Sequence, residues 1–120
     1  MQKTYVGEWQ NFLFLNGWTE YRDTGEYQEP RYRRIGNVVY FEGLVKNSNN
    51  NPHNNICMVG ESFRPKKTIQ VPITGQMNES RLGQKTLMLT ILNNGVCFLQ
   101  GVTTYKDMWL SLSGVYYFLD

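Results

Sequence analysis

The sequence has little of what most catalytic or metal centres require. It holds one histidine, His53, and two cysteines, Cys57 and Cys97, with no Cys-x-x-Cys spacing. Structural zinc draws on clusters of Cys and His, so no metal site is expected. A nucleophilic centre needs a base beside its nucleophile. The lone His53 sits in an Asn-rich stretch and neither cysteine is near it in sequence, so no catalytic residue is expected. No Gly-rich phosphate cradle and no calcium loop is present, and no cofactor is expected. No apolar run approaches the ~20 residues of a membrane span. The start, Met1-Gln-Lys-Thr-Tyr5, lacks the apolar segment of a signal peptide, which points to synthesis in a cytoplasm without secretion by that route. A net charge of +2 is too small for the basic stripe of a nucleic-acid binder.

Helical periodicity is missing as well. Apolar residues alternate or run continuously instead of recurring at three-to-four spacing. What the chain has is aromatics and turn formers: eight Tyr, six Phe and three Trp beside eleven Gly and many Asn. At 120 residues, one domain spanning 1–120 is the natural reading. The length is adequate for a core that needs no staples. Both cysteines stand in apolar, strand-like runs, Ile-Cys-Met-Val and Val-Cys-Phe-Leu, where free buried thiols are expected.

The clearest local signal is Arg31-Tyr-Arg-Arg-Ile-Gly-Asn-Val-Val-Tyr-Phe-Glu-Gly-Leu-Val-Lys46. Two β-rich runs flank Gly36-Asn37, residues that tolerate the positive φ of tight hairpin turns. The second run reads as one long strand over residues 38–46, rich in β-branched and aromatic side chains. A second hairpin turns on Asn93-Asn94-Gly95. Further strands are expected at residues 10–15, 56–60, 69–73, 87–91, 108–113 and 115–119. Pro72 cannot donate to a ladder, so its strand should lie at an edge or break there. Residues 47–55 read as a solvated polar loop. The expectation is an all-β fold: an antiparallel β-sandwich or partly closed, jelly-roll-like barrel of about seven to nine strands.

Glu42 is the one acid within a predicted strand, and pairing with Arg31 or Arg33 on the neighbouring strand accounts for it better than a glycosidase role. The remaining inventory suits sugars, whose apolar faces pack on aromatic rings and whose hydroxyls need polar partners. Two loops offer that mixture. The first carries Tyr21, Arg22, Asp23 and Tyr27; the second carries Tyr105, Asp107 and Trp109. His53 adds a polar candidate from the Asn-rich loop. Trp9 and Trp18 read as packing residues.

Several blocks together resemble a known family. They are Leu15-Asn-Gly-Trp18, the 30–46 block, Phe63-Arg-Pro65, Asn93-Asn-Gly-Val96 and Trp109-Leu-Ser-Leu-Ser-Gly-Val-Tyr-Tyr117. Their order is similar to the receptor-binding head domains that end tail-fibre and baseplate-tip proteins of phages infecting Gram-positive bacteria. The resemblance implies a β-sandwich or barrel head, a homotrimer, synthesis in the host bacterial cytoplasm and a location at the virion tail tip or baseplate; whether a stalk precedes Met1 in a longer fibre protein stays open. It implies a host cell-wall polysaccharide or other surface glycan as ligand, and other baseplate or fibre proteins as partners. An Asn-rich segment replaces the Gly-rich connection usual after Leu-Val-Lys. Segments 38–45, 87–92 and 115–119 carry apolar residues on both faces, and surplus apolar surface marks an interface. Two other functions compete with a non-enzymatic adhesin: a structural module that only caps or joins trimers, and a glycan-degrading tip enzyme.

Overall fold

The computed structural model describes residues 4–21, 25–47, 49, 53–76, 84–100 and 107–120. Among these lie eleven strands: β1 (Leu13–Phe14), β2 (Trp18–Glu20), β3 (Arg31–Ile35), β4 (Val38–Glu42), β5 (Leu44–Asn47), β6 (Asn55–Met58), β7 (Ile69–Gln76), β8 (Gln84–Ile91), β9 (Val96–Leu99), β10 (Trp109–Ser111) and β11 (Tyr116–Phe118). A single 3₁₀ turn spans Glu61–Phe63. Every pairing is antiparallel. An eight-stranded sheet runs β1-β6-β9-β8-β7-β10-β5-β2 and is nearly closed into a barrel; a three-stranded sheet runs β11-β4-β3. The all-β expectation therefore holds.

Both predicted hairpins are present. Ile35 faces Val38 across a two-residue turn in which Gly36 alone takes a positive φ of 57°, the pattern of a turn with Gly at its first central position. Arg34 fastens it, donating from Nε to the Gly36 carbonyl at 2.6 Å. At the second hairpin Gly95 has φ 92° and the Leu92 N–H donates to the Val96 carbonyl at 2.9 Å.

The expected long strand over 38–46 is divided. Gly43, at φ 107°, ends β4 in the small sheet and starts β5 in the large one. A Cβ at Gly43 would lie 2.4 Å from the backbone of Pro30, so glycine is required by both φ and space. The neighbouring chain turns the same corner. Ser111 of β10 faces Leu44, and Tyr116 of β11 faces Tyr40. Residues 112–115 thus oppose 41–43, four against three, which is the extra residue of a β-bulge. The Gly43 N–H donates to Ser113 Oγ at 3.0 Å, and the Leu112 N–H donates to the Gly43 carbonyl at 2.9 Å. Split strands of this kind raise the count above seven to nine.

Near-closure of the large sheet has its own local cause. Its two edge strands, β1 and β2, are joined by Asn16-Gly17, both at positive φ (54° and 82°). The Trp18 N–H donates to the Leu15 carbonyl at 3.0 Å, so a tight turn holds one sheet edge near the other. Pro72 behaves as its missing N–H demands. Its strand β7 is paired along its length with β8, but β10 covers only Thr74 to Gln76 on the other side, which leaves Pro72 at an open edge.

The core lies between the two sheets. Leu89, Ile91, Leu99 and Leu110 are fully buried from the large sheet, as is Leu112 just past β10. Phe12, Tyr32, Phe41, Tyr117 and Phe63 form an aromatic cluster beneath the small one, with ring separations of 4.8 Å for Phe12–Tyr32 and 4.9 Å for both Phe12–Phe41 and Tyr32–Phe63. Tyr32 Oη accepts from the Gly60 N–H at 2.8 Å and Tyr117 Oη donates to the Phe63 carbonyl, so the small sheet clamps both ends of the 3₁₀ turn. Cys57 and Cys97 face each other across β6 and β9 as buried free thiols. Their mutual hydrogen bond and burial push the Cys57 thiol well up. Of the described residues in the expected 47–55 loop, Asn49 and His53 are exposed, whereas Asn47 ends β5 with no exposure and Asn54 Nδ2 donates to the Leu99 carbonyl at 3.2 Å.

Gly43→Ala should cost at least about 2 kcal/mol, because left-handed strain adds to the overlap with Pro30. Gly114→Ala shares the positive φ (95°) but has open space around it, and should cost about 1 kcal/mol. Parallel urea melts would compare them; equal losses would show that the approach to Pro30 does not hold the corner. Burial raises the Tyr32 hydroxyl despite its Gly60 partner, and raises Tyr117 much further. Phenols held neutral in the fold stabilise it below the unfolded value of about 10, and that contribution is lost as pH rises beyond it. The thermal midpoint should fall above pH ~10, with Tyr117 ionising only as the fold opens and Tyr32 ionising later than an exposed phenol. Tyrosinate absorbance recorded beside circular dichroism would show this; full ionisation of a still-folded protein would contradict it.

Candidate functional site

Strand alternation sets which side chains leave the core near the β7-β10-β5-β2 end of the large sheet. Met108, Leu110 and Leu112 are fully buried, so Trp109 and Ser111 point outward from β10. Val45 and Asn47 are buried on β5, which turns Leu44 and Lys46 outward; Trp18 is buried on β2, which turns Thr19 outward. The register then places Lys46 between Thr19 and Trp109, and Trp109 beside Gln76. Pairing continues one residue past β2, since the Tyr21 N–H donates to the Leu44 carbonyl at 3.0 Å. Tyr21 accordingly joins the outer face.

Three rings meet there. Tyr21 lies 6.4 Å from Trp109 with planes at 66°, and 5.3 Å from Tyr27 with planes at 85°. These edge-to-face contacts fix the rings without removing them from solvent: Tyr27 is exposed and Trp109 half-buried. Trp109 and the 21–27 loop are far apart in sequence, and β5 brings them together by pairing with β2 on one side and β10 on the other. Asp107 is exposed just before Trp109, at φ 65°, and its N–H donates to the Asn47 carbonyl at 3.3 Å. Aspartate tolerates that left-handed backbone better than most residues.

Of the predicted candidates, Tyr21, Tyr27 and Trp109 are in one cluster with Asp107 beside it. Arg22, Asp23 and Tyr105 lie outside the described residues. His53 is tied to the inward-facing Trp18: its carbonyl accepts from the indole N–H at 2.8 Å, and its Nδ1 accepts from the Asn55 N–H at 3.0 Å. Trp18 is the packing residue expected. Sequence reasoning passed over Lys46, Gln76 and Thr19, which share the outer face. The inward Val45 was the available signal for Lys46, because adjacent strand residues point to opposite faces.

The small sheet has an outer face of a different character. Trp9 lies against it, with the guanidinium carbons of Arg31 and Arg33 each 4.4 Å from its ring centroid. Arg31 Nε pairs with Glu42 Oε1, directly opposite in register, as expected for that acid. Trp9 is thus a stacking partner for cations more than a core residue. Tyr40, Tyr116 and Phe118 are exposed on the same face. A cavity of about 400 Å³ opens among Trp9, Arg33, Tyr40, Glu42 and Ser113. A second, of about 280 Å³, is lined by Thr74, Thr86, Ser111 and Ser113. The two share the Ser113–Gly114 turn.

Among the described residues, no group of three or more His, Cys, Asp or Glu is placed to hold a metal ion, and no helix is long and apolar enough to cross a membrane. No protein-family model matches the sequence, and no curated protein matches it. Among solved structures, the chain is similar to the receptor binding protein gp15 of Listeria phage PSA, with a TM-score of 0.67 at 16% identity, over 98% of this chain and 67% of that one. The two share a fold, in line with the resemblance read from the sequence blocks.

Proposed function

We propose that this chain is a phage receptor-binding head that recognises a host cell-surface saccharide, without enzymatic activity, at the virion tail tip or baseplate. The observation that carries the reading is the Tyr21–Tyr27–Trp109 cluster: solvent-reached rings on an open sheet face, flanked by Lys46, Gln76 and Asp107. Apolar sugar faces stack on such rings while the flanking groups meet hydroxyls. The shared fold with a phage receptor binding protein supports the same reading. Catalysis finds less support, because Glu42 is neutralised by Arg31.

The head acts as a homotrimer in this proposal. Apolar surplus is concentrated on the small sheet, where Tyr116 is 56% and Phe118 62% exposed on the edge strand β11. On β8 it is smaller than expected, since Leu87, Leu89 and Ile91 point inward and Met88 is the exposed large apolar residue. Weak sites gain strength when three are carried together. The same exposed aromatic face favours a second reading, a structural module that joins fibre or baseplate proteins and binds no glycan.

Labelled protein should bind Gram-positive cells strain-selectively and stop binding once wall polysaccharide is stripped. Trp109→Ala and Tyr21→Ala should each weaken binding at least tenfold, about 1.4 kcal/mol, with the fold retained. Binding that survives stripping, or is unchanged in both variants, would remove this face from the site; a folded protein that binds no strain would favour the structural module. Light scattering should report a trimer at micromolar concentration, and Tyr116→Ser with Phe118→Ser should release monomers. A wild-type monomer would overturn the assembly proposed.

A further inference from the structure

We propose a second ligand site on the outer face of the small sheet, in the cavity beside Arg33, which takes an anionic saccharide unit: a sugar or polyol bearing a carboxylate or a phosphate. It is separate from the Trp109 face and does not require that face to bind sugar.

The argument begins with the free edge of β3. The segment before β1 runs along that edge, with the Gly7 N–H donating to the Arg34 carbonyl at 2.7 Å and the Gln10 N–H to the Tyr32 carbonyl at 2.6 Å. This anchors Trp9 over the outer face, where it stacks on two guanidinium groups whose surroundings differ. Arg31 faces Glu42 and pairs with it, with Glu29 a further 3.9 Å contact. Arg33 faces Tyr40, and no acid is opposite it. Its Nε is buried and has no hydrogen-bond partner among the described residues. A buried charged donor without an acceptor is costly, and native structures rarely leave one without a reason.

An arriving anion supplies the missing acceptor. A guanidinium fork matches the paired oxygens of a carboxylate or phosphate, and Trp9 stacking fixes the plane of the fork before the ligand arrives. The cavity of about 400 Å³ is within the range of small-molecule sites. Its walls suit a sugar: the Tyr40 ring offers an apolar surface, while Glu42 and Ser113 are acceptors for hydroxyls. Glu42 is engaged by Arg31 and no acid faces Arg33, so Arg33 is the cation of the cavity lining positioned to attract an anion, with Glu29 standing farther off beside Arg31. The Arg33 charge selects an anionic unit over a neutral one, and the ring and hydroxyl acceptors select a saccharide or polyol over a bare ion.

The test uses the intact protein with three probes of equal length: a glucuronate-containing trisaccharide, a glycerol-phosphate trimer and a neutral trisaccharide. Calorimetric titration should show at least one anionic probe binding about tenfold or more tighter than the neutral one, with affinity falling as salt rises from about 50 to about 500 mM. Whichever anionic probe binds better identifies carboxylate or phosphate as the natural group. Arg33→Gln should remove that preference, Arg33→Lys should restore part of it through charge without the fork, and Trp109→Ala should leave it intact. In the wild-type protein, the NMR signal of Arg33 Nε–Hε should shift on addition of the anionic probe, a readout that needs no variant to fold. Equal affinity for all three probes, or an Arg33 signal unmoved at saturation, would overturn the site. Loss of anion binding in Trp109→Ala would also overturn it, by placing the ligand on the other face.

Discussion

The close approach of Gly43 to Pro30 is the constraint on which the rest of this fold depends. An ordinary strand through residues 38–47 would belong to one sheet. Because the backbone turns at Gly43 with φ 107°, the same run contributes β4 to one sheet and β5 to the other. The partner segment follows through Ser113 and Gly114, and the additional residue on its side provides the stronger local twist a corner needs. Hydrogen bonds across the corner keep the two segments together, so neither sheet is separated from the other where they meet. Between the sheets the aromatic cluster and the aliphatic residues of the large sheet close the core, and the hydroxyls of Tyr32 and Tyr117 are satisfied by the 3₁₀ segment they clamp.

That corner also separates two surfaces of different chemistry. On the large-sheet side, β5 pairs with β2 and β10, which places Tyr21 and Trp109 together and sets Lys46 beside them. On the small-sheet side, the alternation that buries Tyr32, Val39 and Phe41 leaves Arg31, Arg33 and Tyr40 facing out under Trp9. The first surface is aromatic with mixed polar groups. The second is aromatic with a cation that no acid faces, and grades into the exposed rings of β11. The Ser113–Gly114 turn borders both cavities, one on each side of the corner.

Parts of this were legible in the residues because their causes are local. Gly36-Asn37 and Asn93-Asn94-Gly95 mark their hairpins through backbone freedom alone, and the alternation of Met108, Leu110 and Leu112 with Trp109 reports correctly which side chains leave the core. Glu42 opposite Arg31 follows from the register of a tight hairpin. Other features were not legible because their causes are distant. Gly43 looks like one glycine within a strand until Pro30 is seen packed against it. Asn47 looks like the start of a wet loop, yet pairing with Met108 and Asp107 draws it into the sheet. Asn16-Gly17 stood out only within the Leu15–Trp18 block, and its role in bringing two sheet edges together depends on which strands β1 and β2 pair with.

By itself the sequence determined the class of the fold, its hairpins, its edge position at Pro72 and the buried state of its thiols. These depend on side-chain period, backbone φ and the lack of an N–H, all properties of a residue and its near neighbours. It also determined the kinds of side chain available to a ligand. Tertiary structure alone decided the sheet order, the division of one long strand into two, and which aromatic residues became neighbours. Strand pairing joins segments across the whole chain length, and no local preference of Tyr21, Arg33 or Trp109 specifies what will lie beside it.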